Sequence, residues 1–297
     1  MRRFMVALFS LLAASCAAGS SEPADAPDPG QERFPVSSSY PPGTMDRINF
    51  TAAGPESWRI SALKSPDRPE ARWKVVIITG TPSWSEYWAP TIAALPDNRE
   101  IIVADRPGFS ESEPRHAVPD IAAQAEALSP MLETRPGERV VLVGQSFGGP
   151  VATLMAARYP DQVDALVLVS AYFGQRGPTA RRLFGVGRIV QPFLPRDLKN
   201  SISEVRAQPR QLPEVWSAFD SLDIPVVFIH GDKDTFVPLD SAREIAGRRD
   251  NTLITVPEGD HFLNACCVPA LLGAVEQAIA EADAATDDTA APTEHAQ

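Results

Sequence analysis

Arg139-Val140-Val141-Leu142-Val143-Gly144-Gln145-Ser146-Phe147-Gly148-Gly149 is the stretch whose reading decides the fold. Val140 to Val143 are continuously apolar, as in a strand buried on both faces of a parallel sheet. The strand runs directly into Gly-x-Ser-x-Gly, and Gly149–Tyr159 then has a helical pattern. Gly144 and Gly148 sit one above and one below Ser146, where a Cβ would clash. Such a strand-to-helix turn thrusts the serine hydroxyl out above the sheet. It also aims the next amide, that of Phe147, at the same point, at the positive end of a helix. The pentapeptide alone is common by chance. The strand before it and the helix after it give it meaning.

The pattern extends in both directions. Trp73–Thr79, Glu100–Ala104, Ala165–Ser170, Pro225–His230 and Thr252–Val256 read as further strands, rich in Val and Ile. Asp46–Thr51 and Trp58–Leu63 read as two earlier ones around Gly54-Pro55. Tyr87–Leu95, Pro119–Thr134, Gly149–Tyr159, Asp240–Arg248 and Val268–Ala282 read as helices between or after them. Strand–helix alternation of this kind predicts an α/β fold of three layers around a mostly parallel, eight-stranded sheet. Between Ser170 and Ile224 no strong strand occurs. Helical patterns at Ala180–Val190, Asp197–Arg206 and Pro213–Phe219 predict a small helical lid, 171–222, between strands 6 and 7.

Composition sets the outer limits. The 297 residues carry a formal net charge of −11, which argues against nucleic acid as a partner. Met1-Arg2-Arg3 followed by the apolar run Phe4–Ala14 predicts an export signal over 1–15, too short for a stable bilayer span. No later segment is apolar enough to span. Of 29 prolines, six fall between Ser20 and Pro42, so 16–44 reads as an extended tether. The globular domain is expected over 45–283, and the polar, acidic stretch 284–297 is expected to be disordered. Cys266 and Cys267 are adjacent. A ring closed between neighbours strains the intervening peptide, so they read as two small apolar residues on a helix.

A serine hydroxyl needs a base to be nucleophilic at neutral pH. The chain has four histidines. His295 lies in the tail, His230 ends an apolar strand and reads as packed, and His116 follows Pro114-Arg115 in a loop. His261 lies in Pro257-Glu258-Gly259-Asp260-His261-Phe262, just past the last strand. Sites in α/β sheets form at the carboxyl ends of strands, so His261 is the expected base. Gly231-Asp232-Lys233-Asp234 follows another strand, and either Asp232 or Asp234 could orient that base.

With these residues in place the sequence resembles the α/β-hydrolase superfamily, over about residues 45–282. The resembling branch holds small esterases, lipases, cofactor-free haloperoxidases, prolyl aminopeptidases and epoxide hydrolases. The resemblance implies the three-layer α/β-hydrolase sandwich and the chain order Ser146, Asp, His261. Gly231-x-x-Asp234-x-x-Val237-Pro238 is similar to the family's acid loop and selects Asp234. Asp105-Arg106-Pro107-Gly108-Phe109-Ser110-Glu111-Ser112 is similar to its D-x-P-G-x-G-x-S turn, with Ser110 in place of a glycine. Thr79-Gly80-Thr81-Pro82 stands where the family often has His-Gly-x-P. The resemblance then implies an oxyanion hole built from the backbone N–H groups of Thr81 and Phe147. Haloalkane dehalogenases and epoxide hydrolases share much of this pattern but use aspartate at the elbow. Ser146 therefore points to acyl chemistry, with no metal and no cofactor. Leu12-Ala13-Ala14-Ser15-Cys16 resembles the lipobox of bacterial lipoproteins, with Ala13 where a large aliphatic is usual, and implies acylation of Cys16 as a membrane anchor. A plain signal would instead be cut after Ala17 or Ala18.

The expected function is a serine hydrolase acting on a small-molecule carboxylic ester or related acyl substrate. A peptidase of the prolyl aminopeptidase kind is the second reading, although the lid is short and rich in arginine. A surface lipoprotein that uses the fold only for binding is the third.

Overall fold

The protein is described by a computed structural model covering residues 36–249 and 251–290. In chain order its elements are β1 (Asp46–Thr51), β2 (Arg59–Lys64), β3 (Trp73–Ile78), α1 (Ala89–Ala93), β4 (Arg99–Ala104), α2 (Ile121–Leu128), β5 (Arg139–Gln145) and α3 (Gly148–Arg158). There follow β6 (Ala165–Val169), α4 (Pro178–Val190), α5 (Arg196–Ala207), α6 (Leu212–Ser221), β7 (Val226–Gly231), α7 (Leu239–Ala246), β8 (Thr252–Val256), α8 (Leu263–Cys266) and α9 (Val268–Ala290).

The strands form one eight-stranded sheet in the order β1-β2-β4-β3-β5-β6-β7-β8. β1 pairs antiparallel with β2, and β2 antiparallel with β4; every other pair is parallel. Side chains of a strand alternate between faces, so a run buried throughout must feed two cores. Val140, Leu142, Leu166, Leu168, Val226 and Phe228 enter one, against α2, α3, α6 and α7. Val141, Val143, Val167, Val169, Val227 and Ile229 enter the other, against α1, α8 and α9. The three expected layers, the parallel centre and the helical insertion between β6 and β7 are all present.

The elements differ from the sequence reading at four places. The helix expected over Pro119–Thr134 ends as an α-helix at Leu128, and Ser129–Leu132 forms a 3-10 turn. Pro130 has no N–H to give to Glu126 and crowds that carbonyl. α9 runs on to Ala290, through residues expected to be disordered. Ala284, Ala285 and Ala290 are the strongest helix formers, and they extend an element already docked on the sheet. The end of the expected tether is also packed: Ser37 donates its backbone N–H and its hydroxyl to the carboxylate of Glu86, at 2.8 and 3.1 Å. Cys266 and Cys267 form a disulfide. They do not share one helix; Cys267 is the break between α8 and α9, at φ −137° and ψ 38°, and that turn lets the two sulfurs meet. The signal at 1–15 and the acylation of Cys16 lie outside the described residues. Among the described residues no helix is long and apolar enough to cross a membrane.

Candidate active site

β5 ends at Gln145, α3 begins at Gly148, and Ser146 takes the turn at φ 52°, the left-handed region that non-glycine residues seldom occupy. Three backbone hydrogen bonds hold it there. The N–H of Ser146 donates to Val169 O at 2.9 Å, and its carbonyl accepts from Gly149 N at 3.0 Å and Tyr172 N at 2.9 Å. Both flanking glycines are sterically required. A Cβ on Gly144 would stand 2.7 Å from the Cα of Gly149, and one on Gly148 would overlap the carbonyl oxygens of Ile78 and Thr79. The turn is therefore wedged between β3 and its own helix.

The structure brings Ser146, His261 and Asp234 together from three carboxyl ends of the sheet. Ser146 Oγ lies 3.0 Å from His261 Nε2, and His261 Nδ1 lies 2.8 Å from Asp234 Oδ2. An ionised Asp234 can only accept, so Nδ1 donates to it and Nε2 is left to accept the serine proton. Ser146 is 8% and His261 5% exposed, so both are almost withdrawn from solvent. The ring of His261 stacks on Phe236 and meets Phe262 edge-on, at 5.1 and 5.3 Å between centroids.

Asp234 is held from every side. Its Oδ1 accepts the N–H groups of Phe236 and Val237 at 2.8 and 2.9 Å. Burial alone pushes its carboxyl up, but the nearby His261 and the hydrogen bonds from His230 and His261 outweigh that and hold it well below the usual carboxylate range. Asp232, the rival in the sequence, is one-third exposed and faces Lys233.

His230 does more than pack. It is 1% exposed, and its Nε2 lies 3.2 Å from Asp234 Oδ2 and 3.0 Å from Val237 O. Both partners are acceptors, so Nε2 carries a proton and shares it between them. The sequence hint was its place four residues before Asp234, at the end of β7. His116 is exposed, and His295 lies outside the described residues.

The loop Thr79–Pro82 lies against the nucleophile. The N–H of Gly80 donates to the side chain of Gln145 at 2.9 Å, and a Cβ on Gly80 would come within 3.0 Å of Ser146 Cβ. Among the described residues no hydrogen bond occupies the amide of Thr81 or of Phe147. Thr79 is fully buried, and its carbonyl accepts from Arg106 Nε at 2.7 Å. Arg106 also donates to Gly80 O at 2.7 Å, to Gln124 at 2.5 Å, and to both carboxylate oxygens of Glu204 on α5. All five guanidinium N–H groups are thus used, at a residue with no solvent exposure. In the sequence Arg106 stands only as a member of a turn; its hold on Thr79 and Gly80 is a contact through space that no spacing shows. Ser110 in that turn has φ 46°, the conformation that explains why a glycine is usual there.

The insertion is fastened to the site at its start. Gly177 N–H donates to Phe236 O at 2.7 Å, and Thr179 N–H to Thr235 O at 3.1 Å. A side chain at 177 would collide with the Thr235 carbonyl. At its far end Gln211 bonds the N–H of Ile121 and the carbonyl of Pro119.

Known proteins resemble this chain in sequence and in fold. A family model described as the alpha/beta hydrolase fold matches residues 74–185. A 2-hydroxy-6-oxononadienedioate/2-hydroxy-6-oxononatrienedioate hydrolase of Paraburkholderia phymatum is 25% identical over 199 residues, 54% of this chain and 69% of the relative. A pimeloyl-[acyl-carrier protein] methyl ester esterase of Vibrio cholerae is 26% identical over 208 residues, 58% of this chain and 80% of the relative. Among solved structures, a thermophilic esterase from Thermogutta terrifontis superposes with a TM-score of 0.61 at 19% identity, covering 80% of this chain and 99% of that one. In sheet order, elbow and family match alike, the chain has the α/β-hydrolase fold, and over residues 74–185 it matches the family model of that fold.

Proposed function

We propose that the protein is a serine hydrolase that cleaves a carboxylic ester or related acyl substrate through an acyl-enzyme. The relay from Ser146 to His261 to Asp234, at 3.0 and 2.8 Å on a strained elbow, is the observation that carries this reading. His261 takes the serine proton as Oγ adds to the carbonyl carbon. The oxyanion is met by the amides of Thr81 and Phe147. His261 then gives its proton to the leaving alcohol, and the C–O bond to it breaks. Water loses a proton to His261, adds to the acyl carbon, and releases the acid as Oγ takes the proton back. Asp234 stays ionised throughout, fixing the tautomer of His261 and stabilising the imidazolium. Each oxyanion donor is worth about 2.7–4 kcal/mol in the transition state.

Serine instead of aspartate at the elbow favours acyl transfer over alkyl transfer, since only an acyl-serine is readily hydrolysed at its carbonyl. Ser146→Ala should abolish turnover of p-nitrophenyl esters and labelling by a fluorophosphonate. Unchanged labelling in that variant would falsify the assignment. Turnover of prolyl amides above that of esters would turn the reading to the peptidase branch.

We further propose export and acylation at Cys16. The basic start, the apolar run and the lipobox-like Leu12–Cys16 support this. Mass spectrometry of the membrane-extracted N-terminus should find a lipid-modified Cys16; an unmodified terminus after Ala17 sinks the proposal.

A further inference from the structure

Four of the most exposed large apolar side chains in the described residues fall in one short segment: Val186 at 63%, Ile189 at 79%, Val190 at 37% and Phe193 at 81%. Their spacing is i, i+3, i+4, i+7, which is one face of a helix. α4 supplies the first three and the 3-10 turn Gln191–Phe193 the last. Singly exposed apolar residues need no explanation, but a contiguous stripe does. Core packing does not explain it. The packed side of α4 is a different one: Ala180 is buried, Phe184 lies against the core, and Gly187 sits where a Cβ would come 3.0 Å from Ile202 of α5. α4 thus has two apolar sides, one used by the fold and one turned outward.

The insertion carries charge of the opposite sign to the rest of the molecule. The chain carries −11 overall, yet residues 176–210 hold eight Arg and Lys against only Asp197 and Glu204. Glu204 is spent on Arg106 inside the protein. Arg181 and Arg182, one turn before the stripe, are exposed, as are Arg206 and Arg210. An apolar stripe with arginine flanks is the pattern of a helix lying in a membrane interface. Its apolar side sinks about 5–10 Å into the headgroup and acyl boundary while the cations meet lipid phosphates.

We propose that this face of the insertion docks on an anionic lipid bilayer, with Ile189 and Phe193 as the inserted side chains. A second copy of the chain is a poorer occupant, because a two-fold contact through this face would set the two basic insertions against each other. The proposal rests on the insertion alone and holds whatever bond Ser146 attacks.

The test is local hydrogen exchange on the full chain, read by mass spectrometry over peptides covering 183–195. Vesicles of phosphatidylcholine with about 30 mol% phosphatidylglycerol should slow exchange there roughly tenfold. Pure phosphatidylcholine, or about 0.5 M salt with anionic vesicles, should give much less. Ile189→Ser with Phe193→Ser should remove the effect and leave exchange in β5 and β6 unchanged, which controls for the fold. Exchange at 183–195 that ignores anionic vesicles overturns the proposal, as does protection in the doubly substituted variant equal to wild type. Protection that grows with protein concentration without lipid assigns the face to a second copy and overturns it equally.

Discussion

The guanidinium of Arg106 and the carboxylate of Glu204 face each other across two hydrogen bonds, 2.7 and 3.1 Å, with neither side chain reaching solvent. Ninety-eight positions apart in the chain, they join the Thr79–Gly80 loop to the inserted helix α5. A buried pair of this kind is costly to desolvate and is tolerable only when every donor and acceptor is used. Here Gln124 supplies the third bond to Glu204, at 2.7 Å. Removing one partner strands a charge: Glu204→Ala should lower stability by ~3–5 kcal/mol in urea unfolding. Replacing both, Arg106→Met with Glu204→Leu, should restore most of that stability. Ester turnover should stay low in the double variant, because the carbonyls of Thr79 and Gly80 lose their donor.

His230 reaches the reaction only through Asp234. His230→Phe removes one hydrogen bond to a buried carboxylate and puts a ring in the same volume. We expect kcat to fall about tenfold, equivalent to ~1.4 kcal/mol, with KM little changed. Steady-state kinetics on a soluble ester decide this; a change confined to KM would place His230 in substrate binding instead.

The depressed ionisation of Asp234 has a definite sign in stability. A carboxyl held below its unfolded value stabilises the fold fully above that value, ordinarily ~3.9, and loses the contribution as pH falls through the folded value. The stability gap between wild type and Asp234→Asn should therefore be flat above about pH 5 and shrink below about pH 4. Urea unfolding of both proteins across this range measures it. A gap that grows on acidification contradicts the direction found here.

Gly148→Ala tests the wedge at the elbow. The new methyl has nowhere to go, since the atoms it meets are the backbone oxygens of Ile78, at the end of β3, and of Thr79 just after it. Loss of several kcal/mol and of fluorophosphonate labelling is expected, whereas Gly185→Ala, with open space around it, should be nearly silent or slightly stabilising through helix propensity. Thermal unfolding of the two variants side by side checks the contrast.

What could be read in advance follows from the range of each interaction. Strands such as Val140–Val143 and Val226–Ile229 announce themselves because burial on both faces leaves no polar residue in the run. The elbow is legible for the same reason that it is rigid, a local clash that only glycine relieves. Asp234 against Asp232 was not decidable from local chemistry, and needed the family's Gly-x-x-Asp-x-x-Val-Pro register. His230 and Arg106 escaped because their partners are set by tertiary contact, although one lies only four residues from Asp234. The exposed stripe of α4 read simply as a helix, since periodicity tells which residues share a face and not which face is covered.

The left-handed backbone at Ser146 has one last consequence. Glycine would occupy that conformation at no steric cost, while serine is kept there by its N–H bond to Val169 O and by the N–H groups of Gly149 and Tyr172 on its carbonyl. The position is therefore one where selection for thermal robustness and selection for chemistry pull apart. A library of variants screened only for heat resistance should drift to glycine at 146 and go dead, so any effort to harden this protein has to hold that codon fixed.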